Sequence, residues 1–319
     1  MRFVPTLRLM KQFTQILAVC VAVLCSLATT SLAQKPSEQK SSSASAKETS
    51  PVLVRVNGTA ITESDLSFFV KTRKLSSDDA EQRQDVLLER LIERQLLRGF
   101  LAQKKIVASP VLLEDHINRL KQRLKTGGGD PEQLLSKAGF TDESLRRELR
   151  LPLDWDAYVR QIATDTKLSE IWKQRKQEFD GTEVRAAQIA LKSDNPESDE
   201  KKLAAIRDEI ISQRITFKEA AKKHSQAPSA INGGDLGLFG FRSGKVSPEL
   251  VPIAFGLKVG DTSPPFRSSL GVHLLTVTER IEGQLSLEDA KPEIRQQLSI
   301  ELQQETLKAE RAKAKIEKR

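Results

Sequence analysis

Beyond residue 25 the sequence contains no cysteine. Its two cysteines, Cys20 and Cys25, sit inside an N-terminal segment of export type. With that segment removed, no disulfide framework and no thiolate metal site can form. Imidazoles are scarce too. Only His116, His224 and His273 occur, far apart and without H-x-x-x-H or H-E-x-x-H spacing, so no metal-ligand set stands out. Aromatic residues make up 5% of the chain. No basic patch is studded with them in the way that stacks on single-stranded nucleic acid. No G-x-x-x-x-G-K-[ST] loop is there to cradle a nucleotide. The expectation is no cofactor, no metal, no nucleotide and no nucleic-acid partner. Glycine is also sparse, with 16 in 319 residues, yet Gly233, Gly234, Gly237 and Gly240 crowd into INGGDLGLFGF at 231–241.

What is present begins with Arg2, Arg8 and Lys11, an apolar run from Ile16 to Ala28, and small residues Ser31 and Ala33. This charge, apolar core and A-x-A-like end read as a secretory signal peptide over 1–33. The competing reading, a membrane anchor, needs about 20 apolar residues, more than this run has. A lipid-modified cysteine is disfavoured by the bulky Val19 and Leu24 before the two candidates. The formal charge is +8, of which the three basic signal residues carry three, leaving +5. Acids interleave with bases nearly everywhere, so a solvated mixed-sign surface explains this charge. Residues 34–50 are Ser, Lys and Glu without a large apolar side chain, a disordered linker. The expected location is the periplasm, with no membrane span in the mature chain.

Residues 51–181 read as a helical domain entered through a small hairpin. Val52, Val54 and Val56 alternate, Asn57-Gly58 turns, and Thr59-Ala60-Ile61 returns. Thr62 and Asp65 then cap a helix. Leu88, Ile92, Leu96 and Phe100 form one helical stripe; Leu113, Ile117, Leu120 and Leu124 form another. His116 borders the second stripe as a half-buried or surface histidine. Pro152 is expected to break or kink the helix that contains it.

The pattern changes at 182–282. A strand at VRAAQIALK, two helices, the Gly-rich stretch, a short helix and two closing strands make an α+β module. His224 ends a helix, where a cation suits the dipole. Asp235 follows two glycines and is expected to bond backbone N–H groups of the turn. Residues 283–319 read as one long polar helix with a thin stripe of Ile294, Leu298, Leu302, Leu307 and Ile316. Such a helix is not stable alone and is expected to dock on the helical domain. The fold class is α+β.

VRAAQIALK, FKEAAKKHS, NGGDLGLFG and FRSSLGVHLLTV, in this order, resemble a parvulin-type peptidyl-prolyl cis-trans isomerase domain (the PpiC or rotamase family). VLVRVNGTAITESDL and the LLERLIERQLL helix are similar to the N-terminal domain of SurA-type periplasmic chaperones, in which a C-terminal helix completes a helical cradle. Together the two resemblances cover nearly all of the mature chain.

The resemblance implies site residues. Parvulins use two histidines on adjacent strands, a cysteine or aspartate facing the carbonyl, and a Leu, Met and Phe around the proline. Here the first histidine falls on Gln188 and the second on His273. The carbonyl-facing position falls on Ala227. The proline pocket falls on Leu236, Val246 and Leu250, and a small hydroxylated residue falls on Ser268. Gln188 could still reach across to His273. Alanine at 227 can neither accept a hydrogen bond nor supply a negative field.

Three functions stay open at this level. The first is an ATP-independent periplasmic chaperone, binding unfolded or proline-containing exported polypeptides with weak or absent isomerase activity. Outer-membrane proteins are among its candidate clients. The second is an active isomerase on X–Pro bonds, and the third a non-catalytic envelope scaffold.

Overall fold

Asn57 and Gly58 adopt φ of 48° and 83°, the left-handed pair that a two-residue hairpin turn requires. They join β1 (Val52–Val56) to β2 (Thr59–Thr62) in a computed structural model that describes residues 50–73, 75 and 82–318. The signal-peptide reading and nearly all of the linker reading lie outside the described residues. The chain forms two units. One holds the described residues up to Ala163 together with Gln297 onward; the other is Thr164–Gln296.

In the first unit Thr62 accepts from the Asp65 amide and Asp65 accepts in return. This reciprocal cap opens α1 (Glu63–Thr72). Then come α2 (Gln84–Gln103), α3 (Pro110–Thr126), α4 (Pro131–Lys137) and α5 (Asp142–Ile162). The α3 stripe is buried against Leu135, Phe140, Leu145, Leu149 and Leu153. Arg94 of α2, itself buried, donates to Glu148 of α5 at 2.7 Å, with Arg98 at 3.4 Å.

Two expectations need correction here. Helix α5 continues through Pro152. Pro152 removes one backbone donor, but Leu149, Leu151, Leu153, Trp155 and Val159 are all buried along the helix. That burial keeps the segment helical across the missing bond, so Pro152 does not break the helix. The long C-terminal helix also stops short of the chain end. It runs Leu287–Lys313, after a Ser286–Asp289 cap, and gives way to a strand at Ile316–Lys318.

That strand lies on the free edge of β1, with Val56 opposite Ile316 and Val54 opposite Lys318. Asn57 fastens the junction: its N–H donates to the Lys315 carbonyl and its side-chain oxygen accepts from the Lys315 N–H, both at 2.9 Å. Val54, Val56 and Ile61 bury against Ile92 and Leu96, with Leu307 and Ile316 alongside.

The second unit starts with α6 (Asp165–Arg175) and β3 (Glu183–Leu191). It continues through α7 (Pro196–Ile211), α8 (Phe217–His224), β4 (Asp235–Gly240), α9 (Val251–Gly256), β5 (Phe266–Ser268) and β6 (Gly271–Ile281). The sheet is antiparallel in the order β4-β3-β6-β5. Strand alternation sorts its two faces. Ile189, Leu191, Val272 and Leu274 pack on Leu203, Ile206, Ala220 and Ala221 of α7 and α8. Val184, Ala186, Leu275 and Val277 pack on the α9 side with Phe239 and Phe255. The helical and mixed units together make the fold class α+β.

Candidate functional site

The α9 face of the sheet carries the candidate site. Residues opposite one another in an antiparallel pair share a face. In the β3–β6 register Ala190 stands opposite His273 and Gln188 opposite Leu275; Phe266 of β5 stands opposite His273 on the other side. Phe266 stacks on the imidazole, with ring centroids 5.6 Å apart and planes 25° from parallel. His273 is only 2% exposed.

One imidazole nitrogen, Nε2, lies 2.7 Å from Ser268 Oγ, while Nδ1 is buried without a hydrogen-bond partner among the described residues. An orphaned N–H is the rarer and costlier of the two arrangements. The proton therefore belongs on Nε2, donated to Ser268. The Ser268 hydroxyl then turns toward Glu249, whose carboxylate also accepts from the Ser269 N–H at 2.8 Å. That backbone bond is the first cause of a lowered Glu249 pKa. Burial holds His273 below its usual imidazole range, against an opposing pull from Glu249. At neutral pH the site presents a neutral imidazole.

Gln188 does not take up the bond to His273 that the sequence reading left open. The register places it two residues along the strand, and its amide donates to Ser229 Oγ at 3.4 Å. The segment before the Gly-rich stretch runs beside the same strand. The Gln226 N–H donates to the Ala190 carbonyl at 2.8 Å, and Ser225 Oγ accepts from the Ala190 and Ala227 amides. Ala227, half-buried, thus stands close to the strand position facing His273. Its methyl group offers no polar atom there.

Gly234 makes this approach feasible. Its carbonyl accepts from the Gln188 N–H at 2.9 Å, its φ is +85°, and a Cβ would overlap the Gln188 carbonyl oxygen. Asp235 then accepts from the Gly237 N–H at 2.9 Å and pairs with Arg185 at 2.6 Å. The Arg185 bond is the main cause of its lowered pKa. An acid committed in this way is not a general base.

The lining is apolar. Leu236, Val246 and Phe266 are partly buried against the core, whereas Leu250 is 2% exposed and lies within that core. Sequence reasoning missed Phe266 and Glu249. Phe266 was within reach, because it lies two residues before Ser268 on one short strand and so shares its face. Glu249 gave no signal, since its role depends on the fold of the 268–270 loop. Among the described residues no three His, Cys, Asp or Glu side chains converge as a metal would need.

Residues 185–279 match the Rotamase family model, described as a PPIC-type PPIASE domain. The foldase protein PrsA of a Geobacillus strain is 28% identical over 237 residues, covering 71% of this chain and 76% of that protein. A chaperone SurA from a Polaromonas strain is 38% identical over 104 residues, 33% of this chain and 22% of that one. The crystal structure of the peptidylprolyl isomerase PrsA from Bacillus anthracis is 24% identical, with a TM-score of 0.44 covering 71% of this chain and 96% of that one. Residues 185–279 thus match a PPIC-type domain, and the chain is similar to PrsA foldases and SurA chaperones.

Proposed function

We propose that the protein is an extracytoplasmic, ATP-independent folding factor of the periplasm. It binds unfolded exported polypeptides through its helical unit and its PPIC-type domain, and it has weak or absent prolyl isomerase activity. The X–Pro bond has a rotation barrier of about 18–20 kcal/mol. No bond is broken during isomerisation. The amide loses resonance at the twisted transition state, so the enzyme must favour that form through an apolar grip and polar groups at the carbonyl. The apolar grip is present in Leu236, Val246 and Phe266. The observation that carries the reading is Ala227 at the carbonyl-facing position, with Gln188 bonded to Ser229 rather than to His273. The acid of the Gly-rich stretch, Asp235, is held by Arg185.

An active isomerase is the second reading, favoured by the retained Ser268–His273 bond. A proline-limited refolding assay on purified protein decides between them. The expected kcat/KM is far below that of an ordinary parvulin, and Ala227→Asp is expected to raise it. Wild-type activity within about tenfold of an ordinary parvulin refutes the reading, because loss of one positioned polar group costs on the order of 10²–10³.

A further inference from the structure

The helical unit contains a cavity of about 160 Å³ where α2, α5 and the C-terminal helix meet. Leu97, Leu151, Pro152 and Trp155 make most of its wall, and Ser299 and Gln303 close it from the C-terminal helix. The Trp155 indole N–H donates to Ser299 Oγ at 2.9 Å, which fixes the ring along the wall. Leu97, Leu151 and Trp155 are all buried.

Gln303 is the unexpected member. It is 6% exposed and faces the cavity, and its amide makes no hydrogen bond among the described residues. Its atoms are not sealed from solvent, since among the described residues only His273 Nδ1 is both fully buried and unpartnered, so the amide stands open to a ligand. The amide has a donor and an acceptor to offer and nothing in the wall to take them.

Two properties define what fits. An apolar cavity of about 150 Å³ holds one benzene ring, so this volume suits a single ring-sized side chain. The mouth carries no uncommitted charge, since Asp156, the one acid lining it, accepts from Arg160 at 2.7 Å. A charged ligand gains nothing there. A neutral peptide group, with both C=O and N–H, matches Gln303.

We propose that this cavity is a binding site for one apolar, ring-sized side chain of an unfolded polypeptide, with Gln303 hydrogen-bonding the peptide group that carries it. The proposal rests on the chaperone reading above and gives the helical unit a defined contact with its client. Gln303 is then an amide held open for the ligand.

The test uses the full chain with Trp172→Phe, which leaves Trp155 as its only tryptophan. N-acetyl-phenylalanine methylamide is expected to change Trp155 fluorescence saturably, and the alanine analogue to bind at least tenfold more weakly. Gln303→Met keeps the volume and removes the amide. It is expected to weaken the phenylalanine probe about fivefold, the worth of one ordinary hydrogen bond, and leave toluene binding unchanged. Equal binding of the two amides, no saturable change, or equal effects of Gln303→Met on probe and toluene each overturn the proposal. A holdase assay on an aggregating client separates this from the wider reading. If Leu97→Phe, which fills the cavity, suppresses aggregation as well as wild type does, the client does not use the cavity. If wild type fails to suppress aggregation while the phenylalanine probe still binds, the chaperone reading falls and the peptide site stands.

Discussion

Gly234 and Gly237 offer a matched pair of substitutions within one short stretch. Both have positive φ, +85° and +71°, but a Cβ at Gly237 meets nothing within 4 Å. At Gly234 it would overlap the Gln188 carbonyl oxygen and stand 3.1 Å from that residue's carbonyl carbon and amide nitrogen. Alanine in the left-handed region costs about 1–2 kcal/mol, less roughly 0.5 regained from a stiffer unfolded chain. Gly237→Ala is therefore expected to cost about 1 kcal/mol. Gly234→Ala adds a backbone overlap, on the order of 1–3 kcal/mol as for overpacking, and strains the Gln188–Gly234 hydrogen bond, worth about 1 kcal/mol. The sum is about 4 kcal/mol. With a urea m-value of about 2 kcal/mol/M, the midpoints should fall by roughly 0.5 M and 2 M. The measurement is urea unfolding of the full chain carrying Trp155→Phe, so that Trp172, which lies in the same unit as both glycines, reports the transition. Equal midpoint shifts for the two variants would refute the close strand approach on which the site geometry rests.

Two further predictions concern charge. Burial keeps the folded-state pKa of His273 below the unfolded value of about 6.5. As pH falls below about 6.5 the unfolded chain takes up this proton first, so stability declines with acidification. His273→Gln is expected to flatten the urea midpoint of this unit between pH 7.5 and 5; an unchanged slope removes His273 as its source. In the helical unit, Glu148→Ala leaves buried Arg94 and neighbouring Arg98 without their carboxylate and is expected to cost about 3–5 kcal/mol. Arg94→Ala leaves Glu148 with Arg98 and is expected to cost less, as read by Trp155 fluorescence in urea; the reverse order overturns the assignment.

Local features carried most of the elements in the sequence. Asn57-Gly58 specifies its turn through backbone conformations few other residues accept, and Thr62–Asp65 and Ser286–Asp289 announce helix starts through side-chain reach alone. The leucine stripes of α2 and α3 declare their buried faces. What stayed illegible depends on distant partners. Ile316–Lys318 is too short to read as a strand until β1 is beside it. Pro152 reads as a breaker until the burial around it is counted. In the site, the resemblance pointed to Gln188 and His273, but only the strand register shows that Ala190 faces the histidine. Gln303 was invisible for the opposite reason: a polar residue in a polar helix gives no sign that it is buried.

The pairing of Val56 with Ile316 also sets an order of assembly. About 260 residues separate the two strands. The second unit is continuous from Thr164 to Gln296 and has all its strands in hand by Ile281. The helical unit does not: its cavity lacks a wall until Ser299 and Gln303 arrive, and its sheet lacks a strand until Ile316–Lys318 arrives. Domains fold as their sequence becomes available. An emerging chain thus completes its PPIC-type unit first, and the peptide site proposed for the helical unit comes into being only once Ser299 and Gln303 have followed.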